Sequence, residues 1–242
     1  MEIKVLGNDT RSVALARYIE GAHSSGASFL ILPIPSSRDG VRVAGCEALI
    51  LDSLGELRDG DIAVGYGFSE EAEQLAARRG VILLDAALDD IFLEQNARLT
   101  AEGIIYELMK EWRAPSDRCI GIIGWGRIGR HLSKMLSALG AQTIVYTSRK
   151  NEGFLPYSEL PFVDKKGIDI LINTAPARII GDECSGALES VRVIELASGN
   201  NFPEWLAHER YPSLPYRVFP ESAARTFVDF FIRQVEDRRL LI

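Results

Sequence analysis

Short apolar runs alternate with stretches of helical periodicity along the whole chain. Residues 3–7 form an apolar run that leads into a glycine turn, and they predict a buried strand. In residues 11–20, Val13, Leu15, Ala16 and Ile19 recur at roughly helical spacing. Residues 28–32 predict a second strand. It runs into Pro33-Ile34-Pro35-Ser36-Ser37-Arg38-Asp39-Gly40, a turn-rich loop. A strand at 61–65, a helix at 69–79 and a strand at 81–84 complete a small flavodoxin-like half. Residues 89–112 predict one or two helices leading out of it, and Ala114-Pro115-Ser116-Asp117 breaks the chain.

The second half repeats the alternation. Residues 118–123 read as a strand, followed by a glycine-rich loop and a helix over 128–139 that stops at Gly140. Further strands are expected at 142–147, at 168–173 after Gly167, and at 191–196, with a helical tail over 223–235. Strands alternating with helices predict an α/β fold: two Rossmann-like parallel-sheet domains with an interdomain cleft.

Composition narrows the function. The chain has 242 residues, 47% hydrophobic and 25% charged, an ordinary balance for burying a core. No apolar run approaches the roughly 18 residues that span a bilayer, and the N-terminus does not read as a signal peptide. The net charge of −7 argues against general affinity for nucleic acid or an anionic membrane. Cys46, Cys119 and Cys184 are far apart and odd in number, which suits a reducing cytoplasm. His23, His131 and His208 are equally scattered, so no metal site is expected.

The chemistry sits in Gly124-Trp125-Gly126-Arg127-Ile128-Gly129, a GxGxxG loop in its full strand–loop–helix–strand context. Gly124 permits the tight turn, Gly126 lets the backbone approach a pyrophosphate, and Gly129 lets the helix pack on the strand. The helix N-terminus offers N–H groups and partial positive charge to phosphates. The other reading is a glycine-rich turn that binds nothing. An NAD site usually carries Asp or Glu at the end of the second strand. Here that end is Thr147-Ser148-Arg149-Lys150, a hydroxyl-and-cation run suited to a 2′-phosphate. NADP is therefore expected over NAD, unless Arg149 and Lys150 are only solvated charges. Two more strand ends would line the cofactor: Thr174-Ala175-Pro176 and Ala197-Ser198, or else they are ordinary turns.

These segments resemble a known family. Gly121-Ile122-Ile123-Gly124-Trp125-Gly126-Arg127-Ile128-Gly129 is similar to the glycine loop of D-2-hydroxyacid dehydrogenases. More of the chain resembles the A-type component of dipicolinate synthase: the turn Gly7-Asn8-Asp9-Thr10-Arg11, the loop Leu32-Pro33-Ile34-Pro35, and the helix start Leu99-Thr100-Ala101-Glu102-Gly103-Ile104. The later strand ends Asn173-Thr174-Ala175-Pro176 and Glu195-Leu196-Ala197-Ser198 are similar too. The resemblance implies an N-terminal Rossmann-like domain over 1–95, a connecting helix over 96–114 and an NAD(P)-binding domain over 115–220. A C-terminal helix over 221–242 would return to the first domain. It further implies NADP-dependent oxidation of a dihydrodipicolinate-like cyclic dicarboxylate. The implied partners are a flavoprotein-like second subunit and further copies of the chain. This chain departs from the family at Gly199, where an Arg follows the Ala-Ser pair, and at Arg217-Val218-Phe219-Pro220-Glu221-Ser222, which replaces a proline- and glycine-rich loop.

Hydroxyacid dehydrogenase chemistry would need a carboxylate-clamping Arg where Gly199 stands, and a late His as general acid. His208 is the only late histidine, and residues 204–209 read as a surface helix. No catalytic residue is therefore assigned. Candidate substrate groups are Asp9, Arg11, Ser36 and Ser37, since a dicarboxylate calls for Arg and hydroxyl donors. Asp9 reads equally as a cap of the first helix, and Arg11 as a surface charge. A non-catalytic NAD(P)-binding regulatory or partner subunit is the alternative function.

Overall fold

The computed structural model describes residues 2–7, 9–22, 26–111, 114–150 and 153–240. Asn8, His23 and Trp112, which figure in the expectations above, lie outside the described residues. The chain forms two compact units, residues 1–96 with 215–242 and residues 97–214.

The first unit begins β1 (Ile3–Val5), α1 (Thr10–Ala22), β2 (Phe29–Ile31), α2 (Ile50–Gly55), β3 (Ile62–Gly65), α3 (Glu70–Arg79) and β4 (Ile82–Asp85), and α4 (Asp90–Met109) starts in it and continues into the second unit. The four strands are parallel and stand in the order β1-β2-β3-β4. The sheet therefore grows in one direction. A flavodoxin-like order reverses beside its first strand, and among the described residues this sheet has no reversal, which corrects that expectation. Local chemistry sets α3 cleanly. Ser69 caps it by accepting from the Ala72 N–H, acids fill its first turn, arginines its last, and Gly80 follows at φ +70°. Between β2 and β3 the sequence pattern predicts only a loop. The structure has antiparallel bridges Ser37–Val43 and Arg42–Leu49 and then α2.

The second unit continues with β5 (Cys119–Ile123), α5 (Arg127–Ala138), β6 (Gln142–Tyr146), β7 (Ile170–Asn173), α6 (Ser185–Leu188), β8 (Arg192–Glu195) and β9 (Glu209–Arg210). Its parallel strands stand in the order β6-β5-β7-β8-β9. From β5 the chain moves out to β6 and returns to the far side as β7, so the order reverses between β5 and β7. Both central strands are buried along their whole length, as parallel strands covered on two faces are. In place of a crossover helix between β6 and β7, 3-10 turns run over Tyr157–Phe162 and Asp164–Lys166. Pro161 removes the N–H that a longer helix would use.

One expected element is absent. Residues 204–209 form a turn and then the edge strand β9, not a surface helix. Pairing of Glu209 with Ile194 on β8, reinforced by Arg192 holding the Glu209 carboxylate, overrides the local helical pattern.

The chain ends with α7 (Leu214–Val218) and α8 (Pro220–Arg238). Ala223, Thr226, Phe227, Phe230, Phe231 and Val235 form the buried stripe of α8, with Pro220 at its first position. That stripe completes the core of the first unit. Phe231 meets Tyr18 and Phe29 edge-on, and Phe92 packs 5.8 Å from Phe230 and 6.2 Å from Phe227.

Candidate functional site

Ligands of open α/β sheets sit at the carboxyl ends of strands where the strand order reverses. In the second unit that point lies between β5 and β7, and the glycine loop occupies it. Gly124 has φ +100°, and a Cβ on it would stand 2.9 Å from Thr174 Oγ1. A Cβ on Gly129 would stand 2.2 Å from the Gly124 carbonyl oxygen, so helix and strand meet backbone to backbone. A Cβ on Gly126 would meet no atom within 4 Å. Gly126 is also the N-cap of α5 and supplies no side-chain cap. No acid stands in the first turn of α5, so nothing there opposes the partial positive charge of the helix N-terminus. These features fit the pyrophosphate of a dinucleotide: an uncapped helix N-terminus and a backbone surface with room against it.

Trp125 packs against Phe154 in a tilted arrangement, with ring centroids 4.4 Å apart and 56° between the planes. Gly126 and Arg127 are exposed, and Ile128 is half-buried. Beyond β6 the chain makes an excursion that closes on itself. Thr147 N–H donates to Leu155 O and Leu155 N–H to Val145 O. Thr147 is buried, and its Oγ1 accepts from Arg149 N–H at 3.2 Å, so this hydroxyl shapes the turn. Ser148, Arg149 and Lys150 are exposed on the excursion.

At the next strand ends, Thr174 Oγ1 donates to Ile123 O at 2.9 Å, tying β7 to the root of the glycine loop. Pro176 and Ser198 are exposed, and Ala175 and Ala197 are half-buried. Beneath them lies a polar group that sequence reasoning does not single out. Asn173, Glu195 and Asn201 are all buried, and both asparagines donate to the Glu195 carboxylate. A signal was present, since Asn173 and Glu195 directly follow the apolar runs Ile170-Leu171-Ile172 and Val193-Ile194, but their convergence is a long-range fact.

Comparison with known proteins bears on this site. Residues 92–181 match the family model of the D-isomer specific 2-hydroxyacid dehydrogenase NAD binding domain. The fold is that of the dipicolinate synthase A chain. The crystal structure of this component from Bacillus halodurans superimposes with a TM-score of 0.77 over 97% of each chain at 18% identity. Its counterpart from Bacillus subtilis gives 0.74 at 20% identity, over 99% of this chain and 97% of that one. The NAD-complexed D-isomer specific 2-hydroxyacid dehydrogenase of Lactobacillus delbrueckii ssp. bulgaricus gives 0.54 at 13% identity, over 99% and 97%. A search of curated protein sequences finds no match. The second unit thus carries a nicotinamide-dinucleotide-binding domain of the dehydrogenase type, on a fold shared with dipicolinate synthase.

The four substrate candidates all lie at the carboxyl end of the first unit's sheet, and all are engaged there. Asp9 caps α1, accepting from Arg11 N–H at 3.0 Å. Its carboxylate also takes the Arg11 guanidinium and Ile34 N–H. Arg11 is 4% exposed, which corrects the reading of it as a surface charge. Its Nη2 donates to Ile34 O at 2.7 Å, and its guanidinium lies 5.8 Å from the Tyr216 ring centroid. Ser36 is fully buried and accepts from Tyr66 N–H, bracing its loop on the end of β3. Ser37 donates to Asp39 and accepts from Gly40 N–H within its own turn. His208 packs edge-on against Phe202 and directs Nδ1 at Leu206 O.

Among the described residues, no three His, Cys, Asp or Glu converge as metal ligands, and no helix is long and apolar enough to cross a membrane.

Proposed function

We propose that the chain is an NADP-dependent oxidoreductase that oxidises a dihydrodipicolinate-like cyclic dicarboxylate. The observation that carries this reading is the glycine loop at the strand-order reversal, with open space over Gly126 and an uncapped α5 N-terminus. The pyrophosphate rests on the N–H groups of the loop and of the first helical turn. Arg149 and Lys150, exposed where an NAD site carries a carboxylate, read the 2′-phosphate. Thr174-Ala175-Pro176 and Ala197-Ser198 line the nicotinamide half.

A bound nicotinamide supplies the hydride acceptor. The chain's part is to orient the reacting carbon and exclude water, because formation of an aromatic ring drives the loss of hydride and proton with little acid–base help. The substrate carboxylates call for Arg, and Arg11 is the cationic candidate. Its Nε and Nη2 are spent on Asp9 and Ile34, which leaves Nη1 as the donor for a ligand. The proposed partners are a flavoprotein-like second subunit and further copies of the chain. Free Cys46, Cys119 and Cys184 suit a reducing cytoplasm.

One observation favours a second reading, a non-catalytic NAD(P)-binding regulatory subunit: all four substrate candidates are bonded within their own unit. Turnover decides between them. The protein incubated with NADP and a dihydrodipicolinate, alone and with a partner subunit, should generate NADPH, read by its absorbance. Tight NADP binding with no NADPH formed in either case would establish the non-catalytic reading.

A further inference from the structure

Three donors from two loops converge on one buried carboxylate. Glu195 ends β8 and is 2% exposed. Its Oε1 accepts from Asn173 Nδ2 at 3.1 Å and from the Ala197 N–H at 2.9 Å, and its Oε2 accepts from Asn201 Nδ2 at 3.3 Å. Each donor holds a loop. Asn173 ends β7, stands opposite Glu195 in register, and is 1% exposed. Its side-chain amide clasps residue 175 on both sides, Oδ1 accepting from Ala175 N–H and Nδ2 donating to Ala175 O, each at 3.1 Å. Asn201 Nδ2 also donates to Ser198 O at 2.8 Å. The carboxylate thus binds the 174–176 and 197–199 turns to each other from below.

A buried carboxylate is an expensive way to close a strand, and an apolar side chain would be cheaper if packing were the only task. Its acceptor oxygens do what no apolar group can, by fixing the backbone of two turns at once. We propose that Glu195 is a positioning residue, which through Asn173 and Asn201 holds the 174–176 and 197–199 turns in the conformation that receives the nicotinamide half of the dinucleotide. The proposal rests on the dinucleotide reading given above.

The ionised form holds all three donors in charge-assisted hydrogen bonds, and protonation weakens that set by turning one oxygen into a neutral hydroxyl. Burial pushes the Glu195 carboxyl pKa upward, against the pull of the Ala197 N–H, Asn201, Asn173 and the Arg210 charge. Asn173 on β7 and Asn201 are neutral. Arg210 on β9 is the charged group acting on the carboxyl, and it also donates to Gly199 O. A raised pKa means that this group's contribution to fold stability grows as pH falls through it and shrinks as pH rises. The hold on the two turns changes in the opposite sense, since protonation weakens the bonds that the carboxylate accepts. Cofactor affinity should therefore fall on mild acidification, above the usual carboxyl value of 4.5, while this group itself favours the fold.

The test compares NADPH with 2′-phospho-ADP-ribose, the same molecule without nicotinamide. Glu195→Gln should weaken NADPH binding by about ten-fold or more, the effect of losing a buried hydrogen bond. It should leave 2′-phospho-ADP-ribose binding at the wild-type level. The acid limb of the wild-type NADPH affinity profile should also vanish in the variant. Glu195→Asp keeps the charge but is one methylene short, and should show the same split between ligands if the Gln variant does not fold. Equal weakening of both ligands, or unchanged NADPH affinity with the acid limb retained, would overturn the positioning role. Wild-type protein that binds neither ligand would instead sink the dinucleotide reading.

Discussion

Arg11 closes on Asp9 in a buried ion pair, with Nη2 2.6 Å from Oδ2 and side chains only 5% and 7% exposed. Asp9 also caps α1 and holds Ile34 N–H, so the pair fastens the ends of β1 and β2 together. Removing the cation strands the carboxylate in the interior, which costs about 3–5 kcal/mol. Arg11→Ala should accordingly lower the denaturant midpoint strongly. The double variant Asp9→Asn/Arg11→Met, which leaves no unpaired charge, should be more stable than the single one. Equal midpoints for the two would show that the pair does not hold the loop. Any loss of turnover in Arg11→Ala has to be read against that instability.

Arg149 tests the choice of dinucleotide. Its side chain is exposed and lies on the excursion that closes through Leu155, so its removal leaves the sheet intact. Arg149→Ala should weaken NADP by about ten-fold or more through loss of a charged hydrogen bond. NAD binding should stay nearly unchanged. Competition titrations in which both dinucleotides weaken equally would remove Arg149 from the 2′-phosphate site.

The features legible in the sequence are those fixed by nearby residues. Apolar runs marked the parallel strands, and the GxGxxG spacing marked the loop where β5 meets α5. The helical stretch over 69–79 marked α3. Asp9 was legible as a cap because capping is an i to i+2 contact. What escaped depends on distant partners. Arg11 read as a surface charge because its burial comes from Ile34, 23 residues away. Residues 204–209 read as a helix because the pairing of Glu209 with β8 cannot be seen locally. Glu195 stood out only as part of a strand end, since Asn173 lies 22 residues back.

The glycine loop offers the cleanest test of the central claim, because its glycines differ in what surrounds them. At Gly124 and Gly129 a Cβ collides with Thr174 or with the backbone, so substitution there damages the fold. At Gly126 it collides with nothing, and the backbone is extended at φ −81° and ψ −164°, which valine accepts. Gly126→Val should therefore fold like wild type, within about 0.5 kcal/mol, as neutral surface substitutions do. Its side chain would occupy the space that the pyrophosphate needs. Isothermal titration calorimetry with NADPH should show saturable binding by the wild-type protein and none by a folded Gly126→Val variant. Equal affinities for the two proteins would contradict the assignment of this loop as the dinucleotide site.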